Sequence, residues 1–340
     1  MIHVHSIYGI ALVSDYSVPG LSEDAPRPGE PHITLNFGSQ PDWAAEALRL
    51  PASKCYPLAS ESVEPYDPAL TITSFAHRRY FQLAYADGAA FFVDAHQNRI
   101  WACCPASLTK EDHCTYLVGP VMGFILRLRG TLCLHASSTS IAGQTVALCG
   151  ASAAGKSTTG AALALRGIPV LTEDVTPIKE LSSSFIVEPG YPRICLWPDS
   201  VKQLLGSADA LPLLTPNWDK RYLPLDGVRA TFESEPKPLG AIYLLSARTN
   251  DSDAPRIEDM PPRDALLGLV QNTYMNWLID HNQRAAEFDF LAKLADRVPI
   301  RRLTPHADPA RLPALCDLII EDVMSVVAAE PARTIIAPPC

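Results

Sequence analysis

The run Gly150-Ala151-Ser152-Ala153-Ala154-Gly155-Lys156-Ser157 fits the pattern G-x-x-x-x-G-K-[ST]. Its flanks suit the pattern too: an apolar stretch, Thr145–Cys149, precedes it, and the helix-compatible Gly155–Arg166 follows. Glycines at both ends let the chain wrap so closely that successive backbone N–H groups face a phosphate chain, while the opening helix adds the positive end of its dipole. Lys156 has the reach for β- and γ-phosphates, and the Ser157 hydroxyl suits a magnesium shell. Gly150, Ala151, Ser152, Ala153, Ala154, Gly155, Lys156, Ser157 and Thr158 form the candidate nucleotide-binding set, with ATP and magnesium as the expected cofactors.

Glu173-Asp174 closes the next apolar run. Two adjacent carboxylates can divide two tasks: one holds magnesium, directly or through water, and the other accepts a proton from an attacking hydroxyl. The sequence does not say which does which. His135 lies in the strand Leu134-His135-Ala136-Ser137, where a lone histidine is either a satisfied structural residue or a catalytic one. Arg193, Lys220 and Arg221 stand in proline-rich loops, placed either to meet a phosphate or an acidic substrate or to be ordinary solvated charge. Cys103, Cys104, Cys114 and His113 cluster loosely, but their spacing does not suit zinc.

The elements needed to hold these groups are legible in outline. Period-2 and apolar runs predict strands at Ile7–Ser14, Ile33–Leu35, Tyr80–Tyr85, Ala90–Val93 and Arg99–Ala102, with Ala86-Asp87-Gly88 as a hairpin turn. Helical spacing predicts a helix over Tyr116–Arg129, ended by Gly130. Strands at Leu132–Ser138, Thr145–Cys149 and Pro169–Leu171 then frame the glycine loop. Further strands are expected at Ile186–Val187, Ala241–Leu245 and Ile300–Leu303, and helices at Pro262–Leu278, Gln283–Arg297 and Pro309–Val327. No internal repeat is visible.

Composition narrows the class. The 340 residues are 47% hydrophobic and 19% charged, a globular balance. Lys plus Arg number 28 against 37 Asp plus Glu, a net charge of −9, which argues against nucleic-acid binding. Nine scattered cysteines read as free thiols in a reducing cytoplasm, and no signal-like or membrane-spanning run is present, so a cytoplasmic chain with no membrane partner is expected.

Taken together, Leu134–Ser137, Gly150–Thr158 and Val170–Val175 resemble the catalytic domain of the bacterial HPr kinase/phosphorylase family, and more closely its HPr-kinase-like relatives that phosphorylate a serine, some in lasso-peptide and other modified-peptide clusters. Leu126–Gly130, Pro189–Arg193 and Asp219–Tyr222 extend the likeness over nearly the whole chain. The resemblance implies an α/β fold, a mixed sheet with a P-loop, related to phosphoenolpyruvate carboxykinase; the strand pattern before it adds a β-rich N-terminal region. It implies Lys156 on the phosphates, Ser157 on magnesium, the pair Glu173 and Asp174 as metal ligand and base, and His135 beside them. Here the first carboxylate is Glu173 where HPr kinase itself usually has aspartate, and no segment matches that enzyme's phosphorolysis segment. The expected function is therefore an ATP- and magnesium-dependent kinase acting on a serine of a peptide or protein other than HPr, such as a ribosomally made peptide natural product. A small-molecule hydroxyl such as free serine, or a regulator that binds nucleotide without transfer, are the alternatives. The expected organisation is a β-rich region at 1–110 that either recognises the substrate or completes the core, a kinase domain at 111–328 with a helical C-terminal part, and a flexible tail at 329–340. Oligomeric state stays open.

Overall fold

The structure, a computed structural model, describes residues 1–23, 27, 29–57, 70–182, 184–216 and 218–329. All of the expected tail except Ala329 lies outside the described residues.

The chain opens with β1 (His3–Ile7), β2 (Ile10–Ser14) and β3 (His32–Asn36), a short helix α1 (Asp42–Leu48), and β4 (Ala52–Pro57), β5 (Leu70–Phe75), β6 (Tyr80–Tyr85), β7 (Ala90–Asp94) and β8 (Arg99–Cys103). These make one eight-stranded sheet in the order β1-β2-β3-β8-β7-β6-β5-β4. The single strand expected over Ile7–Ser14 is a hairpin instead. Tyr8 and Gly9 adopt left-handed backbone, φ 58° and 70°, and turn the chain between Ile7 and Ile10.

The helix expected over Tyr116–Arg129 is broken in three. It runs as α2 (Lys110–Tyr116), a wider π-helical turn at Leu117–Val121, and α3 (Met122–Leu128). Pro120, inside that turn, has no N–H to donate and crowds the preceding turn, so regular α-helix cannot pass through it.

A second sheet follows, built from β9 (Leu132–Ile141), β10 (Gln144–Cys149), β11 (Val170–Thr172), β12 (Val175–Glu180), β13 (Phe185–Val187), β16 (Lys237–Leu245), β17 (Arg256–Asp259) and β18 (Ile300–Thr304); between β13 and β16 a separate ribbon pairs β14 (Arg193–Leu196) with β15 (Arg221–Pro224). Its helices are α4 (Lys156–Ala164), α5 (Pro198–Leu205), α6 (Pro262–Gln271), α7 (His281–Arg297) and α8 (Leu312–Ala329). Ala147, Ile242 and Ile300 pack towards Leu269 of α6 and Leu291 and Leu294 of α7. On the opposite face Val146, Leu148, Tyr243 and Leu303 pack towards Leu163 of α4 and Leu315, Ile319 and Val323 of α8. Helices on both faces explain why Thr145–Cys149 and Ala241–Leu245 read as unbroken apolar runs rather than alternating ones.

The helix expected over Pro262–Leu278 stops at Gln271 because the following backbone is claimed by β9. His135 N–H donates to Asn272 O at 2.8 Å, and Tyr274 N–H donates to Cys133 O at 2.8 Å. The mixed α/β class with a β-rich first third stands as expected. The largest apolar core draws on both sides of residue 110: Ile7, Tyr8, Phe81 and Phe91 share it with Phe124, Val175 and Tyr274. No helix among the described residues is long and apolar enough to cross a membrane. The seven described cysteine side chains, Cys103, Cys104, Cys114, Cys133, Cys149, Cys195 and Cys316, are free thiols.

Candidate functional site

The glycine loop joins β10 to α4, as its pattern predicts. Gly150 is held close to its neighbours: a Cβ there would stand 3.2 Å from Leu245 O and 3.2 Å from Ala154 Cβ. Gly155 takes φ 106°, a conformation that strains any other residue, and the helix starts at Lys156. Ala153 is also left-handed, φ 61°, at a cost of about 1 kcal/mol that glycine would avoid. Lys156 is buried and folds back over the loop, its Nζ donating to Gly150 O at 2.8 Å and Ala151 O at 3.1 Å. The Thr158 hydroxyl shares a hydrogen bond with Ser200 on α5, so it ties α4 to its neighbour.

The two carboxylates are presented by a kink in the strand beside β9. β11 and β12 both pair with β9, with Thr172 opposite Ser138 and Val175 opposite His135, and Glu173-Asp174 fills the gap between them. Val175 N–H donates to Glu173 O at 2.8 Å across Asp174, whose φ is 68°, the form of a three-residue γ-turn. The Thr172 hydroxyl clamps the same turn on Val175 O at 2.6 Å. This tight turn sends adjacent side chains to different places.

Glu173 is buried, and its Oε1 accepts a 2.5 Å hydrogen bond from the Ser157 hydroxyl. Burial pushes its carboxyl up to about 7, and the Ser137 and Ser157 hydroxyls offset part of that rise. Its other oxygen, Oε2, is buried without a hydrogen-bond partner. Asp174 has the opposite character. Burial raises it, but His135 beside it, with Lys220 and Lys156 further off, outweighs burial and holds the carboxyl below the usual carboxylate range. Its Oδ1 meets His135 Nδ1 at 3.0 Å, and both side chains are a little over one-third exposed. The ring of the buried Tyr274 stacks near His135, centroids 6.1 Å apart. Gly119, in the π-turn, faces Asp174 Oδ2 at 4.0 Å from where a Cβ would be.

The expected cationic residues separate. Lys220 stands over the Trp197 ring at 4.6 Å and acts electrostatically on Asp174. Arg193 donates to the Thr115 hydroxyl at 3.3 Å and lies over Tyr191, near the α2 side of the site. Arg221 is engaged by Asp209 at 2.7 Å. Gly119 and Tyr274 had no signal of their own in the sequence: the π-turn brings the first and the pairing of β9 with the stretch after α6 the second, while Ser137 was read only as part of the run Leu134–Ser137.

Magnesium was expected on Ser157, Glu173 and Asp174. The donor set fits a hard cation in part: a hydroxyl and a carboxylate lie together, and the orphaned Glu173 Oε2 is a buried polar atom that a cation would satisfy. Asp174 meets His135 through Oδ1. No group of three or more His, Cys, Asp or Glu side chains suited to a metal occurs among the described residues. Two protein groups are compatible with magnesium, which is usually bound by one or two side chains together with phosphate and water. Cys104 and His113 hydrogen-bond to each other at 3.1 Å.

No family model matches the sequence, and no curated protein matches it. Among solved structures the chain is similar to the HPr(Ser) kinase/phosphatase from Coxiella burnetii, at 13% identity and a TM-score of 0.33, over 57% of this chain and 98% of that one. A superposition that loose transfers neither residues nor chemistry from one chain to the other.

Proposed function

We propose that the protein is a phosphotransferase that moves the γ-phosphoryl group of ATP to a serine hydroxyl on a peptide or protein. The observation that carries this reading is the junction of the glycine loop with the carboxylate pair: Ser157 bonds to Glu173, while Asp174, one residue on, is turned to His135. Phosphoryl transfer asks a protein for placement and charge more than for covalent chemistry.

In this reading the backbone N–H groups of the loop and Lys156 hold the phosphates, with Lys156 exchanging its carbonyl partners for phosphate oxygens. Ser157 and Glu173 would hold magnesium, which supplies charge neutralisation at the phosphate oxygens when bound. Asp174 accepts the proton of the serine hydroxyl as its oxygen attacks the γ-phosphorus. The bond to the β–γ bridging oxygen breaks, and its electron pair leaves with the diphosphate. His135 orients the Asp174 carboxylate through Oδ1, leaving Oδ2 for the acceptor. The partial exposure of Asp174 and His135 favours a hydroxyl presented on a chain over a fully enclosed small molecule.

The test is mass spectrometry of serine-containing peptides, beginning with ribosomally made ones, incubated with protein, magnesium and ATP beside a free-serine arm. A gain of about 80 daltons on the peptide, lost in Lys156→Ala with its fold intact by circular dichroism, is the expected result. Transfer to free serine alone would move the acceptor to a small molecule. Undiminished transfer by folded Lys156→Ala would overturn the assignment.

A further inference from the structure

Three strands of the second sheet lie parallel and adjacent, β10 against β16 and β16 against β18. Loops leaving the carboxyl ends of neighbouring parallel strands converge on one crevice, which is where open α/β sheets bind ligands. Here all three loops border a single open cleft. Gly155 and Thr158 reach it from beyond β10, Arg248 from beyond β16, and His306 and Asp308 from beyond β18, with Gln203 of α5 as a further wall. The cleft shares Gly155 and Thr158 with the glycine loop but has none of Ser157, Glu173 or Asp174 in its lining. It therefore continues the loop on a side distinct from the carboxylate pair.

Its walls are built in advance. The loops after β16 and β18 are stitched together by Thr249 N–H to Pro305 O at 3.1 Å, Ala307 N–H to Thr249 O at 2.8 Å, and the Ser246 hydroxyl to Thr304 Oγ1 at 2.9 Å. Asp308 N–H donates to His306 Nδ1 at 2.9 Å. A ring nitrogen that accepts carries no proton, so the neutral His306 ring presents its other nitrogen, Nε2–H, as a donor. Arg248 lies across the start of α4: a Cβ on Gly155 would come 3.1 Å from its Nη2. A planar guanidinium so placed offers a stacking surface to an aromatic ring system.

We infer that this cleft takes the nucleoside of the nucleoside triphosphate whose phosphates fill the glycine loop, with the base against Arg248 and a hydrogen bond from His306 Nε2–H. The inference rests on the reading of Gly150–Ser157 as a phosphate site. Its test compares two ligands by calorimetry on the full chain, each with magnesium: ATP, and inorganic tripolyphosphate, which has the phosphates and no nucleoside. Wild type binds ATP more tightly than tripolyphosphate; Arg248→Ala and His306→Ala each weaken ATP about tenfold and leave tripolyphosphate within about twofold. Equal affinity of wild type for both ligands, or equal loss of both in the folded variants, would overturn the inference, the latter by placing Arg248 and His306 on the phosphates. Binding of neither ligand to wild type would sink the phosphate-loop reading itself, and this inference with it.

Discussion

Glu173 and Asp174 are neighbours in sequence with opposite electrostatics, and a γ-turn is what separates them. Glu173 points into a buried site and titrates near 7, while Asp174 is kept anionic by His135 and the lysines beyond it. The raised carboxyl predicts how stability depends on pH. An unfolded glutamate loses its proton near pH ~4.3, so between there and about 7 the unfolded chain binds fewer protons than the folded one, and stability falls as pH rises through that window. Below the window there is no penalty; above it the penalty is complete, on the order of 3 kcal/mol. Glu173→Gln cannot ionise, so the metal-free variant loses less stability between pH 5 and 8 than metal-free wild type, as read from urea midpoints. Parallel pH slopes for the two proteins would mean that Glu173 is not forced to ionise in a buried site. At this scale the glycine loop and the carboxylate pair were legible because each is a contiguous run. The nearness of His135 to the pair came only from the family resemblance, because the contact itself depends on the register that sets Val175 opposite His135.

The π-turn shows how an element places a group that it does not itself supply. Its Val118 carbonyl accepts from the buried Tyr8 hydroxyl at 3.0 Å, and the next residue, Gly119, lies beside Asp174 Oδ2, the oxygen His135 leaves open. A methyl at Gly119 makes only an ordinary 4.0 Å contact, so Gly119→Ala folds with a stability change within about 1 kcal/mol. The same methyl occupies the approach to Oδ2. Peptide phosphorylation is expected to fall by about tenfold or more in kcat/KM while ATP affinity is unchanged, since near-attack placement is sensitive to displacements of about 1 Å. Unchanged kinetics in the variant would place the acceptor elsewhere. Pro120 was the visible sign that one long helix could not run from Tyr116 to Arg129. Pro198 at the first turn and Gly206, φ 84°, just past the end were equally visible signs of α5, which the apolar pattern alone did not reveal. The end of α6 at Gln271 had no local sign, because a hydrogen bond from β9 decides it.

Across the whole molecule, the N-terminal sheet and the site-bearing sheet are joined by buried contacts rather than by a linker. The hairpin turn at Tyr8 docks on the loop after β13, its N–H on Pro189 O at 2.8 Å, and Gly9 lies so close to the Glu188 side chain that a Cβ would come within 2.6 Å of Cδ. Glu188 is itself buried between Lys179 at 2.7 Å and Arg27 at 3.1 Å, one partner from each side of the boundary at residue 110. Arg78 reaches from before β6 to Leu278 O, and Arg129 from after α3 to His32 O. A core built this way is expected to unfold cooperatively, so far-UV circular dichroism and tryptophan fluorescence should report coincident denaturant transitions, with Trp101 in β8, Trp43 in α1 against it, Trp218 and Trp277 on the shared core and Trp197 at the start of α5. A chain beginning at residue 111 strips Phe124, Val175 and Tyr274 of their partners Ile7, Tyr8, Phe81 and Phe91. Losing several large buried side chains, each worth about 1.5–3 kcal/mol, exceeds the margin by which a domain is stable. That truncated chain should show no cooperative transition and no nucleotide binding. A sharp transition with retained ATP binding would instead make the first 110 residues a separable module, free to serve acceptor recognition alone.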